Sequence, residues 1–253
     1  MDFLLRVLKV LPTADWAAVA VFFGAWIFYV MAARQKIAGS GSLVSTANAI
    51  RFQWMRQTAV RDVRVFDGIV VQNLSSSPSF FASTAIFVIG GLVAALGAGD
   101  KANEFVQEIP FAARTSALVL DLKILLLIGI YINAFFSFTW SMRQYSFGAL
   151  MVAAAPDREI FLNDEDARNA FAASASRMMG LAAETFNNGV RAVYLSFAAM
   201  LWFFSPWALM AGTVIVLWVL YQREFRSPII DALQDYARLE HDEASALARL
   251  RRQ

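Results

Sequence analysis

The stretch from Leu118 to Gln144 reads LVLDLKILLLIGIYINAFFSFTWSMRQ. About 20 residues at roughly 1.5 Å each suffice to cross the hydrocarbon core of a bilayer, so this run is long and apolar enough to do so. It nevertheless carries Asp121, Lys123 and Asn133, and it ends in Trp140 and Arg143. Ionisable groups in hydrocarbon cost several kcal/mol each, so they persist where they face protein or water. The stretch therefore marks the interior of a membrane protein.

The rest of the chain agrees. Of its 253 residues 58% are hydrophobic and only 17% charged, with a mean hydropathy of +0.52, far from the composition of a soluble domain. The formal net charge of +2 is too small for a nucleic-acid footprint. With no cysteine, disulfides, iron-sulfur clusters, cysteine-ligated zinc and cysteine nucleophiles are excluded. The one histidine, His241, lies in the polar C-terminal tail, which excludes bis-histidine haem ligation and a Ser-His-Asp triad within the membrane. The reading is all-α: a polytopic membrane helix bundle of about five spans in a single domain, 1–253.

Upstream of the opening stretch, Met1 to Leu11 reads either as an interfacial helix or as a lead-in. Pro12, Thr13 and Asp15 start a helix, with Asp15 as N-cap, and span one covers 16–33. Arg34 and Lys36 follow this run where a cleaved leader needs a neutral site. Gly39 to Ser42 break the helix, and 46–74 is expected to be a polar helical segment. On it Arg51, Trp54, Thr58 and Arg61 share one face, and Arg51, Arg56, Arg61 and Arg64 form a candidate cytosolic basic face. That face has two readings: contact with anionic headgroups or a neighbouring helix, or an anion-selecting vestibule. Ser75 to Pro78 are expected to end the segment before span two, 79–98. Its small residues Gly90, Gly91, Ala94 and Ala95 place that span in the middle of the bundle.

Downstream, span three covers 117–140, with Asp121 and Lys123 near enough to one end to snorkel and Asn133 deeper, needing a partner on another helix. Asn163, Asp164, Glu165 and Asp166 invite a metal, but Asn163 as N-cap with acids in the first turn of a helix over 164–182 accounts for them. Residues 192–222 hold no charge. As one helix they reach about 46 Å, and Ser205 and Pro206 interrupt them, so two spans follow, 183–204 and 207–221. Glu184, Asn188 and Arg191 line one face of the entry to span four, and Arg191 is expected to pair with Glu184 or Asp121. A last helix over 228–252 begins at Ser227 and Pro228.

Lysine and arginine fall sixteen to four on the two sides of this topology, which puts the N-terminus outside and the C-terminus in the cytosol of a bacterial inner membrane. Three blocks carry a resemblance: IVVQNLSSSPSFFASTAIFVIGGLVAAL, then LKILLLIGIYINAFFSFTWSMRQ, then NNGVRAVYLSFAAMLWFFSPW. Over residues 15 to 228 the chain resembles a family of bacterial and plant integral membrane proteins of unknown function. The resemblance implies one multi-span domain and no activity, substrate or cofactor.

Two function classes follow. In the first, Asp121, Lys123, Asn133, Glu184, Asn188 and Arg191 form an intramembrane polar seam, the path of an ion or small solute through an oligomer. In the second, the same groups are interhelical contacts in an accessory or scaffold subunit, and the basic face and tail bind other membrane subunits. Neither is an enzyme: metal-ligand clusters, nucleophile motifs and phosphate loops are missing from the sequence. The partners expected are the lipid bilayer and further copies or other membrane subunits, with no nucleic acid and no cofactor.

Overall fold

The computed structural model describes residues 11–37, 42–99, 108 and 115–236. The expectations for residues 1–10 and for the tail beyond Tyr236 lie outside them. Seven α-helices follow in order: α1 Thr13–Ile37, α2 Leu43–Val60, α3 Val65–Gly97, α4 Ala117–Ala153, α5 Arg158–Asn163, α6 Glu165–Met200 and α7 Pro206–Phe225. A 3-10 turn, Leu201–Phe203, joins α6 to α7. The described residues contain no strand. The fold is an all-α membrane bundle, and four of its helices, α1, α3, α4 and α7, are long and apolar enough to cross a bilayer. As a whole α6 is not, because it carries Arg168, Arg177, Glu184 and Arg191.

Helix ends differ from expectation for local reasons. Asp15 is not the cap of α1 but sits in its first turn. Ser75 to Pro78 do not end a helix, and α3 runs straight through Pro78. The Ser75 and Ser76 hydroxyls donate back to the Gln72 and Asn73 carbonyls at 2.8 and 2.7 Å, so both are satisfied within the helix just before the proline. The break comes earlier, at residues 61–64. The opening stretch continues as helix to Ala153, and the expected segments 164–182 and 183–204 are one helix, α6. Asp164 rather than Asn163 starts it, its Oδ1 accepting from the Ala167 amide at 2.9 Å. The turn at Ser205 and Pro206 is where the sequence puts it, with Ser205 Oγ accepting from the Ala208 amide at 3.0 Å. Ser227 caps the helical residues after it, accepting from the Ile229 amide at 3.3 Å.

The chain forms two compact units. The apolar unit comprises Met1–Ala32, Pro78–Thr139 and Phe186–Leu220. Its interior is small and aromatic: Ala18 and Phe22 of α1, Ala82 and Ala85 of α3, Ala134 and Phe138 of α4, Ala192, Leu195 and Ala198 of α6 and Leu209 of α7 are buried. Small side chains let helix backbones approach where lipid supplies no hydrophobic drive. Phe81, Phe138 and Phe186 meet at centroid distances of 5.4 to 5.7 Å, a favourable range for tilted rings. Gly189 is required there, because a Cβ would lie 2.5 Å from Phe138 Cε1. Gly189→Ala is therefore expected to lower stability by about 1–3 kcal/mol in detergent melting, whereas Gly90→Ala, with nothing within 4 Å of the new Cβ, leaves it unchanged. The same fact corrects the reason given for placing α3 in the middle of the bundle: of its four small residues Gly90, Gly91 and Ala94 are exposed, and only Ala95 packs inward, against Leu120, Ile124 and Ile128.

The polar unit comprises Ala33–Ser77, Trp140–Thr185 and Tyr221–Gln253. Its core joins Met55 of α2, Val71 of α3, Tyr145 and Val152 of α4, and Ala172, Ala175, Met179 and Ala182 of α6. Ser141 Oγ donates to the Ala182 carbonyl at 2.7 Å, pinning α4 to α6. Ser42 begins α2 with a capping box to Ser45. Phe161, buried against Phe171, anchors the short α5 to α6.

Candidate functional site

In the apolar unit, three chain segments meet around Lys123. The sequence puts Asp15 in the first turn of α1, Lys123 in the second turn of α4, and Trp202 in the turn that closes α6. Lys123 is only 2% exposed. Its Nζ lies 5.6 Å from the Trp202 ring centroid and 5.8 Å from that of Phe203, within the range of a cation–π contact. Trp202 Nε1 donates to Asp15 Oδ1 at 2.6 Å, and Asp15 is itself buried. The indole therefore stands between a carboxylate that its edge serves and an ammonium that its face serves. Among the described residues Lys123 Nζ has no hydrogen-bond acceptor and no ion pair. Leu120, Ile124 and Ile128 pack below it with Leu92, Leu96 and Phe203.

The other buried cation of this unit is Arg191, which donates to Asn188 Oδ1 at 3.0 Å and lies 5.8 Å from the Tyr29 ring. The expected ion pair with Asp121 is not formed among the described residues, and Glu184 belongs to the other unit. Asp121 is half-buried near the start of α4. Asn133 is exposed, and among the described residues its amide has no partner. Of the six seam residues the structure thus joins Asn188 to Arg191, and it gives Lys123 partners the sequence reading missed. A depth argument contained the signal: Asp15 opens α1, Lys123 opens α4 and Trp202 closes α6, which places all three at one face when successive spans alternate in direction.

The polar unit uses its arginines structurally. Asp67 is fully buried, and its Oδ1 accepts from Trp54 Nε1 at 2.6 Å, Thr58 Oγ1 at 2.9 Å and Arg61 at 2.5 Å. These are three of the four residues that the sequence put on one face of α2. Its Oδ2 is buried with no partner among the described residues. Arg64 donates to the carbonyls of Thr58 and Ala59 at the end of α2 and of Ala155 and Pro156 after α4, satisfying acceptors that helix ends leave open. Arg56 pairs with Glu165 at 3.2 Å, and Arg158 pairs with Asp62. Arg51 donates to Asn48 Oδ1 at 2.7 Å. Burial pushes the Arg51 pKa down from the usual arginine value, with Tyr145 acting in the opposite sense. A cleft of about 740 Å³ opens between the 61–64 turn and α5, lined by Arg61, Asp62, Arg64, Asp157, Arg158 and Glu159. Acids and bases alternate around it. Of the basic face, Arg56 thus ties α2 to α6, Arg61 ties the end of α2 to α3 and Arg64 ties it to the α4–α5 turn, while Arg51 bonds within α2.

An all-α polytopic membrane protein with ionisable side chains buried among its apolar helices is the class that this geometry defines. The sequence pattern of a family described as "Protein of unknown function, DUF599" matches residues 17–229, most of the chain. The chain belongs to that family. Neither the curated proteins nor the solved structures contain a match.

Proposed function

We propose that the protein is an oligomeric membrane pathway for a small anion or anionic solute. The observation that carries this is Lys123: a cation 2% exposed, set on two aromatic rings, with no acceptor among the described residues. The counter-charge it feels is Asp15, across the Trp202 indole, and an intramembrane ionisable residue marks an ion or substrate path by default. Arg191, over the Tyr29 ring, supplies a second cation farther along the same unit. In this reading the C-terminal half of α6 crosses as a fifth span, shielded by its neighbours. The membrane is a bacterial inner membrane, with the N-terminus outside and the C-terminus in the cytosol, an orientation that the sixteen-to-four bias of basic residues supports. The test is efflux from proteoliposomes holding the purified protein. Chloride or a small organic anion leaves faster than from protein-free vesicles, and potassium does not. Release of neither above the protein-free rate overturns the proposal.

A second reading, an accessory or scaffold subunit, is favoured by one observation in the polar unit. Val63, Val65, Phe66, Ile160 and Leu162 are all more than half exposed beside the charged cleft, Phe66 at 72%. Large apolar side chains grouped in water mark a docking surface. Co-purification of one stoichiometric membrane partner, together with absence of flux, decides for this reading. Neither reading is catalytic.

A further inference from the structure

We infer that α4 carries the seam of a homo-oligomer, with the Asn133 amide of one copy hydrogen-bonded to Asn133 of the next across a twofold axis. The inference rests on the oligomer part of the reading above and gives it an interface.

Leu125, Gly129, Ile132, Phe136 and Trp140 all stand exposed on one side of α4. Their spacing of four, three, four and four is the near-heptad repeat that two helices crossing at a shallow angle interlock. Apolar side chains on a membrane helix need no explanation beyond lipid. Asn133 does, because it is exposed in the same stripe, about 7 Å along the helix from the midpoint of the 117–140 span. Its short side chain cannot reach the headgroups from there. Lipid tails offer its amide neither donor nor acceptor, and interhelical amide bonds are among the forces that associate helices in bilayers.

Other exposed polar side chains of these spans are already served by their own helices. Ser83 donates to the Ser79 carbonyl at 3.1 Å, Thr84 to Phe80 at 3.0 Å, and Ser137 to the Asn133 carbonyl at 2.9 Å. Among the described residues the Asn133 amide has no such partner. One turn earlier Gly129 leaves a notch, since a Cβ there would meet nothing within 4 Å.

A second copy fits this surface better than a foreign helix does. A carboxamide is donor and acceptor at once, so it complements itself, and a twofold contact presents the same patch from both sides.

The chain has no cysteine, so single cysteines report the seam directly. Gly129→Cys and Phe136→Cys leave Asn133 in place. In native membranes under mild oxidation both are expected to give a disulfide-linked dimer, and Phe87→Cys on the outward face of α3 is not. Asn133→Leu is expected to weaken dimer formation in detergent by roughly threefold to thirtyfold with unchanged melting of the monomer. Cross-linking at 87 but not at 129 or 136, in a protein that is dimeric by mass, overturns this seam and leaves the oligomer standing. A protein that is monomeric by mass in the bilayer overturns both.

Discussion

Lys123→Gln is expected to reduce anion efflux by at least about tenfold, the lower end of what a charged, low-dielectric cleft contributes to ion capture, while changing the stability of the protein little. Glutamine keeps most of the aliphatic stem and removes the charge from the Trp202 and Phe203 rings. The ammonium has no hydrogen-bond acceptor among the described residues, and Asp15, the carboxylate that acts on it electrostatically, keeps its 2.6 Å bond from the Trp202 indole. Removing the charge relieves the desolvation of Lys123 but takes the counter-charge from Asp15, so the two effects on stability oppose each other. The pair of readouts separates a path-lining cation from one that holds helices together. Lost flux with an unchanged or raised melting temperature supports the path, and retained flux with a lowered melting temperature assigns Lys123 to packing.

Asp67→Ala is expected to cost about 3–5 kcal/mol, the range seen when one partner of a buried charged network is deleted. Three donors converge on Asp67 Oδ1 from α2 and the turn that follows it, and alanine leaves the half-buried Trp54 indole without its acceptor, while the Thr58 hydroxyl keeps the Trp54 carbonyl at 2.9 Å. Arg61 is part-exposed and recovers some hydration, so most of the loss falls on the Trp54 donor and on the cavity. Asp67→Asn is milder, because it preserves an oxygen at the Oδ1 position. It gains nothing at the second position, where Oδ2 has no partner among the described residues. Melting in detergent gives the magnitudes, and limited proteolysis at residues 61–64 localises the opening. A change under about 0.5 kcal/mol for Asp67→Ala, typical of surface sites, contradicts the role assigned to this carboxylate.

The membrane fold was legible in the sequence wherever apolar length alone decides it. Trp16 to Ala33, Ser79 to Ala98, the stretch around Lys123 and the run after Pro206 each fall, to within one residue, on one of the four long apolar helices. Helix ends were less legible, because a side-chain oxygen can reverse a break. The hydroxyls of Ser75 and Ser76 turn back onto the carbonyls of α3, which runs on through Pro78, and one oxygen of Asp164 takes the capping role expected of its neighbour Asn163. Small residues mislead for another reason: Gly90 and Ala94 permit close packing without saying against what, and in this chain they face outward. The site was half legible. Lys123 and Arg191 stand out as cations in apolar surroundings, and Trp54, Thr58 and Arg61 share a helical face. Their partners Trp202, Tyr29 and Asp67 lie on other helices or turns, where spacing along the chain gives no distance. Comparing the depths of Asp15, Lys123 and Trp202 across alternating spans was the one sequence-level route to that contact.

The claim that Lys123 and Arg191 line a wet path is tested most directly by aqueous access. In the naturally cysteine-free chain, single cysteines at 123 and 191 are compared with cysteines at Leu127 and Leu195, both buried in the same unit, using a membrane-impermeant anionic thiosulfonate. Rapid modification at 123 and 191 with none at 127 and 195 is the predicted result. Positions 123 and 191 as inert as 127 and 195 would contradict it and leave the two cations as packing groups in a dry bundle.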